Sequence, residues 1–386
     1  MKTHRFALIM AGGQGTRFWP WSTPDLPKQF LPVVGRQPLI TQTFRRLRTF
    51  IPAENIYVIA DRKYLPAVRR CLSGFRARNY IAEPAPRNTA PALIQANIAL
   101  SRIAPDANLL VVPADHHIAD EMTFARQLAA ALERADERCI VTAGIPPSEP
   151  HTGYGYIHFQ AGQHPGGFHP VRQFKEKPDH KTAAAYVQKG NYYWNSGMFV
   201  YKLSHFKEFI RAYAPYYGRQ YAKLEKAWGR PGEFARLYRA TIPESIDYAL
   251  MEKMKEVVMF KAEFSWNDVG SWSSVYEMNE KDARGNVCRG RAIAIDARNS
   301  LIFSCGRKPL AVIGMERVAV IDTANGILVA PIDRLQQVKR VVDALKPGRG
   351  SGRALRKKGR AAAARRTGRS SGHWRASPAG ASAAAR

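Results

Sequence analysis

The sequence lacks any apolar run approaching the ~18–20 residues that a membrane-spanning helix needs. Only a short apolar stretch separates Met1-Lys2-Thr3-His4-Arg5 from Gly12-Gly13. It is too short for a signal-peptide core, and no cleavage site follows it. Cysteine is scarce: Cys71, Cys139, Cys288 and Cys305 form no CxxC pair and no short metal-ligand spacing. They read as reduced thiols of a cytoplasmic protein. Membrane, secreted and zinc-ribbon classes are thereby set aside.

Acidic residues are also in short supply, with 31 Asp and Glu against 59 Lys and Arg and a formal net charge of +28. The imbalance is uneven. Residues 346–386 contain 12 Lys and Arg and no acid, whereas the preceding 345 residues carry 47 basic and 31 acidic side chains. Ala, Gly, Arg and Ser dominate this stretch, which has too few large apolar groups to order itself and reads as a disordered basic tail. Its single aromatic, Trp374, offers no succession of stacking platforms, so no specific nucleic-acid partner is expected.

What is present suits a globular enzyme. The chain has 386 residues, 45% of them apolar, enough for two or three domains. In the first 145 residues, short apolar runs (Phe6–Met10, Ile56–Ala60, Leu109–Val112, Cys139–Ala143) alternate with helical spacing. Ala90, Leu93, Ile94, Asn97 and Ile98 show it, as do Phe124, Leu128, Ala131 and Leu132. That alternation predicts an α/β fold with a doubly wound, mostly parallel sheet, which binds ligands beyond the carboxyl ends of its strands. From Pro146 to Gly285 the pattern is mixed. Residues 286–345 then show short β-branched runs at Ala292–Ile295, Leu301–Phe303, Leu310–Ile313, Val318–Ile321 and Ile327–Val329, followed by a helix-like Asp333–Leu345. This reads as a small β-solenoid-like unit closed by a helix, with a barrel as the alternative.

Two segments at expected strand ends carry chemistry. Ala11-Gly12-Gly13-Gln14-Gly15-Thr16-Arg17 is a glycine cradle that brings backbone N–H groups close to phosphate oxygens. It is neither a Walker A loop nor a dinucleotide fingerprint, since Phe18 stands where the third glycine would fall. Arg17 and Lys28 add two cations suited to a triphosphate. Asp115, in Val111-Val112-Pro113-Ala114-Asp115-His116, is a candidate Mg²⁺ ligand, as is Asp268 in Trp266-Asn267-Asp268-Val269-Gly270. His116 and His117 would point apart in an extended segment. Tyr154 and Tyr156, in alternation, read as strand packing. Ser196 and Ser271 show no activating base.

The run LIMAGGQGTRFWPWS…LPKQFLP resembles the signature of sugar-phosphate nucleotidyltransferases. Its Trp-Pro and Pro-Lys-Gln-Phe elements are similar to those of bacterial mannose-1-phosphate guanylyltransferases. The motifs EPAPRNTAPA (Glu83–Ala92), PADHHI, TGYGYI, FKEKP, WNSGMF, ESIDYALMEK and FSWNDVGSW follow in the family's order over residues 5–345. The resemblance implies a nucleotidyltransferase catalytic domain at 1–285, with Arg17, Lys28, Asp115 and Asp268 as its catalytic residues. It implies that Ala11, Gly12, Gly13, Gly15, Thr16, Arg17, Lys28, Asn88 and Asp115 bind the nucleotide. Gly153, Glu176, Lys177 and Asn195 would line the sugar-phosphate pocket, with Mg²⁺ held by Asp115 and Asp268.

The implied reaction joins GTP and mannose 1-phosphate to give GDP-mannose and pyrophosphate, by in-line attack without a covalent intermediate. The implied assembly is a homodimer. Another hexose 1-phosphate, another nucleoside triphosphate or an inactive regulatory homologue are the alternatives. Thr23 departs from the arginine usual after Trp-Pro-x-Ser. Many relatives continue into a cupin-type phosphomannose isomerase domain; the family pattern here stops near Lys346, so no isomerase activity is expected.

Overall fold

Alternate residues of the first strand belong to two different cores. In a computed structural model describing residues 4–345 except 14 and 163, β1 (Arg5–Met10) sends Phe6 and Leu8 into one apolar cluster and Ala7 and Ile9 into another. β4 (Asn108–Pro113) does the same, with Leu109 and Val111 on one face and Leu110 and Val112 on the other. A strand covered on both faces reads as an unbroken apolar run, which is why these were visible in the sequence. The tail 346–386 lies outside the described residues.

The other strands of this part are β2 (Ile56–Asp61), β3 (Tyr80–Glu83), β5 (His117–Ile118), β6 (Ile140–Ile145), β7 (Tyr156–Phe159), β8 (Phe168–Lys175), β9 (Tyr192–Lys202), β10 (Val257–Lys261) and β11 (Trp266–Asn267). With β1 and β4, seven of these make one nine-stranded sheet in the order β3-β2-β1-β4-β9-β6-β10-β8-β7, and β5 pairs with β11. The β3-β2-β1-β4 half is parallel throughout, and β6 runs parallel to β10. β9 is inserted antiparallel between β4 and β6, and β7 and β8 add antiparallel pairs at the far edge. The sheet is thus doubly wound and mixed, parallel where the glycine cradle leaves it.

Side-chain caps begin the helices where the sequence places them. Asn88 Oδ1 accepts from Thr89 N at 2.8 Å to start the helix Thr89–Ser101, and Asp120 accepts from Thr123 N at 3.0 Å to start Glu121–Arg134.

Residues 287–331 form a solenoid of stacked strands: β12 (Val287–Arg289), β13 (Ala292–Ile295), β14 (Leu301–Ser304), β15 (Leu310–Ile313), β16 (Val318–Thr323) and β17 (Gly326–Pro331). β12, β14 and β16 stack in parallel, β13 pairs in parallel with β15, and β17 turns back antiparallel on β16. The helix-like stretch begins as a 3₁₀ turn, Ile332–Gln337, before the α-helix Val338–Leu345.

One compact unit spans Met1–Val338. Inside it Phe18, Leu31, Val269 and Trp272 share an apolar cluster with Val287, Leu301, Phe303 and Ile321 of the solenoid. Trp21 lies against Phe303 with ring centroids 4.5 Å apart, and Thr323 Oγ1 donates to Pro20 O at 3.1 Å.

Candidate active site

The carboxyl ends of β1, β3 and β4 deliver the glycine cradle, Glu83 and Asp115 to one place, as a parallel sheet dictates. Ala11 is fixed at the end of β1, its N–H donating to Ile59 O at 2.9 Å and its carbonyl accepting from Gln29 Nε2 at 2.8 Å. Gly15 has φ 58°, and a Cβ there would stand 2.5 Å from Lys28 Cβ, so the turn requires glycine on both counts. Gly15→Ala is expected to cost about 1–3 kcal/mol in backbone strain alone. Thermal unfolding should show the lowered stability.

Two adjoining cavities follow. The first, about 400 Å³, is lined on one side by Gly12, Gly13, Glu83 and Asn88, and on the other by Gly153, Glu176, Asn195 and Asp247. The second, about 270 Å³, is lined by Gly15, Thr16, Arg17, Lys28, Asp115 and Gly270. Among the described residues only His116 and Asp268 border both.

The second cavity is strongly polar. The Lys28 ammonium is buried, with Asp115 Oδ2 at 2.8 Å, Asp268 O at 2.8 Å and Val269 O at 3.1 Å. All three of its N–H donors are therefore engaged within the protein. Burial pushes the Asp115 carboxyl up, but Lys28 and the neighbouring groups outweigh it and hold the acid below its usual range. Arg17 forms no ion pair among the described residues and borders the same space. Asp268 Oδ1 accepts from Tyr154 Oη at 2.8 Å. Burial, then the Asp268 charge, keep that phenol far above its ordinary pKa, so it stays a donor. Tyr154 is thus a site residue and not strand packing, whereas Tyr156 is fully buried.

At the end of the first cavity lined by Asn195 and Asp247, Glu176 is buried, and Lys177 Nζ lies 2.5 Å from Glu176 Oε1. Asn195 Nδ2 donates to Asp247 Oδ1 at 3.0 Å, and its Oδ1 accepts from Gly197 N at 3.0 Å. Burial, then Glu176, push the Asp247 carboxyl up. Asp247 opens a single π-helical turn, Asp247–Met251, a distortion frequent at functional sites. The motif ESIDYALMEK contains it, but nothing in the motif's spacing distinguishes it from Glu244 or Glu252.

At the other end, Glu83 Oε1 accepts from Tyr238 Oη at 2.7 Å, while Oε2 faces Gly12. Burial raises the Glu83 carboxyl to about 7, partly opposed by the Tyr238 hydrogen bond. Asn88 sits beside it with φ 68°, its side chain turned to the helix cap. His117 leaves the site and joins β5, opposite Asn267.

A nucleotidyl transferase family profile matches residues 6–285. The chain belongs to the nucleotidyl transferase family. A second profile, the mannose-phosphate isomerase/GMP-like β-helix domain, matches 290–345. As a nucleotidyl transferase, the chain is 38% identical to xanthan biosynthesis protein XanB of Xanthomonas campestris pv. campestris (strain B100), over 88% of this chain and 73% of that one. It is 37% identical to the mannose-1-phosphate guanylyltransferase of Escherichia coli K12, with the same coverage. A crystal structure from Thermus thermophilus, described as a mannose-1-phosphate geranyltransferase, superposes with a TM-score of 0.80 at 32% identity. It covers 89% of this chain and 99% of that one.

Proposed function

We propose that this nucleotidyl transferase moves GMP from GTP to α-D-mannose 1-phosphate, giving GDP-mannose and pyrophosphate. The observation that carries the reading is the meeting of two unlike cavities at His116 and Asp268. One is sized for a nucleoside and a hexose; the other is built of a glycine cradle, a guanidinium outside any described ion pair and two carboxylates. A phosphate monoester is already a nucleophile, so the chain needs no general base. Ser196 Oγ accepts from Met198 N and Ser271 Oγ from Gln336 Nε2, neither beside an activating base, which favours direct attack.

The residues then act by position and charge. Arg17 and the N–H groups of the cradle would hold the triphosphate. Lys177 would face the sugar phosphate, with Gly153, Glu176, Asn195 and Asp247 reading hydroxyls. Lys28 acts at one remove, fixing Asp115 and the Asp268 backbone. Two carboxylates on one phosphate-sized cavity are the donor set Mg²⁺ prefers, since it takes its remaining ligands from phosphates and water. Bound there by Asp115 and Asp268, the ion would supply neutralisation of phosphate charge.

Glu83 supports guanine. Guanine presents N1–H and the 2-amino group along one edge, and a carboxylate accepts from both, whereas uracil and thymine would set a carbonyl against it. With charge-assisted bonds worth about 1.5–3 kcal/mol, Glu83→Gln should lower kcat/KM for GTP about 10- to 100-fold. The same group fixes a pH dependence. Its folded value of about 7 lies above the ordinary 4.5, so the folded chain binds the extra proton. Its contribution to stability is full below about 4.5 and lost as pH rises through 7. GTP binding, which needs the ionised form, should strengthen over the same rise, and calorimetric titration at pH 6 and 8 compares wild type with Glu83→Gln.

Among the described residues no helix is long and apolar enough to cross a membrane. The four cysteines are free thiols, in keeping with a cytoplasmic enzyme. Exposed Ile293, Ile295 and Ile313 on the outer face of β13 and β15 would suit a homodimer contact.

The deciding experiment is pyrophosphate release with Mg²⁺, crossing mannose 1-phosphate and glucose 1-phosphate with GTP, UTP and dTTP. Turnover concentrated in the mannose 1-phosphate and GTP pair is expected. Another preferred pair would replace the substrates, and no turnover by folded protein would make it an inactive homologue.

A further inference from the structure

The reacting phosphorus must sit where three things meet: the nucleoside, the departing pyrophosphate and the incoming sugar phosphate. In this fold that point is the junction of the two cavities, and among the described residues only two, Asp268 and His116, border both. Asp268 is an anion and repels the transferring group unless a cation intervenes. His116 is the one hydrogen-bond donor of the pair, provided its proton is on the right nitrogen.

Trp266 decides that. Its indole Nε1–H lies 3.1 Å from His116 Nδ1, and the rings meet edge to face with centroids 5.3 Å apart. An indole nitrogen only donates. Nδ1 must therefore accept, which leaves the single proton on Nε2. A doubly protonated ring would set two N–H groups against each other.

The clamp is itself fixed, because Trp266 lies on β11, paired antiparallel to β5, which directly follows His116. Tyr154 packs on the same indole at 5.3 Å while bonding Asp268. The ring's Cε1, the atom between its two nitrogens, lies toward Gly197 in the wall of the first cavity, where an added Cβ would stand 3.9 Å from it.

We propose that His116 is a catalytic residue of the nucleotidyl transfer, its Nε2–H hydrogen-bonding a non-bridging oxygen of the transferred phosphate, with Trp266 as the positioning residue that holds this tautomer. A neutral donor suits the place. The Lys28 ammonium is already engaged by Asp115 and two backbone carbonyls, whereas a neutral imidazole N–H stays available to the substrate. The role rests on the nucleotidyl-transfer reading and adds to it a contact strongest when negative charge gathers on the phosphate.

The test has two arms. In ¹⁵N-histidine NMR of the unliganded protein, His116 should show the neutral Nε2–H pattern. Trp266→Phe, which keeps a ring but loses the donor, should shift it toward a mixture of tautomers. In pyrophosphate-release kinetics, His116→Phe should lower kcat about 10²-fold, with KM for both substrates changed less than about threefold. His116→Gln, whose amide nitrogen falls near the Nε2 position, should recover to within about tenfold of wild type.

An Nδ1–H tautomer in the wild type would overturn the proposal. So would a His116→Phe enzyme within threefold of wild type, or a folded His116→Gln enzyme as impaired as the phenylalanine variant. The NMR arm needs no turnover, so an inactive wild type would defeat the functional reading while leaving the tautomer assignment measurable.

Discussion

Lys28→Met is expected to lower kcat by at least ~10²-fold and to destabilise the folded chain by about 3–5 kcal/mol, the cost of breaking a buried ion pair from one side. The side chain is 8% exposed and its partner Asp115 28%, so little solvent is present to screen the orphaned carboxylate. Methionine matches the length of the stem but returns nothing to Asp268 O and Val269 O, which lose their donor together. Asp115 and the Asp268 loop then lose their common tie, and the cavity that would hold the phosphates loses its shape. Urea denaturation and pyrophosphate release on the same preparation check both halves. A variant of wild-type stability that still loses turnover would make Lys28 a direct phosphate ligand instead.

Asp268→Asn separates charge from shape. The amide oxygen can still accept from Tyr154 Oη, and the backbone carbonyl bonded to Lys28 is untouched. The melting temperature should therefore change little. The carboxylate charge is gone, however, and with it one of the two anions proposed to hold Mg²⁺. A fall in kcat of about 10³-fold is expected, only partly recovered by raising Mg²⁺. A magnesium titration of turnover by both proteins measures this. An Asp268→Asn enzyme with wild-type Mg²⁺ dependence would place the ion elsewhere.

The sequence displayed the parallel half of the sheet because strands buried on both faces favour apolar residues, and β1, β2 and β4 carry apolar runs at Phe6–Met10, Ile56–Ala60 and Leu109–Val112. Solenoid strands were legible at β13 and β15 to the residue, since each is a short β-branched run between turns. β9 was not. It begins with alternating half-buried positions at Tyr193, Asn195 and Gly197, the last two lining the first cavity, and such a strand resembles a loop.

The candidate site divides in the same way. Gly12, Gly13, Arg17 and Asp115 were legible because they follow strand ends within two short motifs. Glu83, Asp247, Tyr154 and His116 were not, because what distinguishes them is a partner far away in the chain: Tyr238, Asn195, Asp268 and Trp266. Lys28 was visible as a cation, but its three acceptors were not.

The glycine cradle and the segment that follows it do not stand on the nine-stranded sheet alone. Arg289 donates to Pro32 O, Val33 O and Gly35 O, and Asn325 Nδ2 donates to Pro20 O. With Trp21 lodged against Phe303, the solenoid is part of the footing on which Arg17 and Lys28 are set. Natural recombination or laboratory grafting that joined two relatives at residue 285 would have to inherit both sides of this footing from one parent. A crossover beyond Val338 would leave it whole.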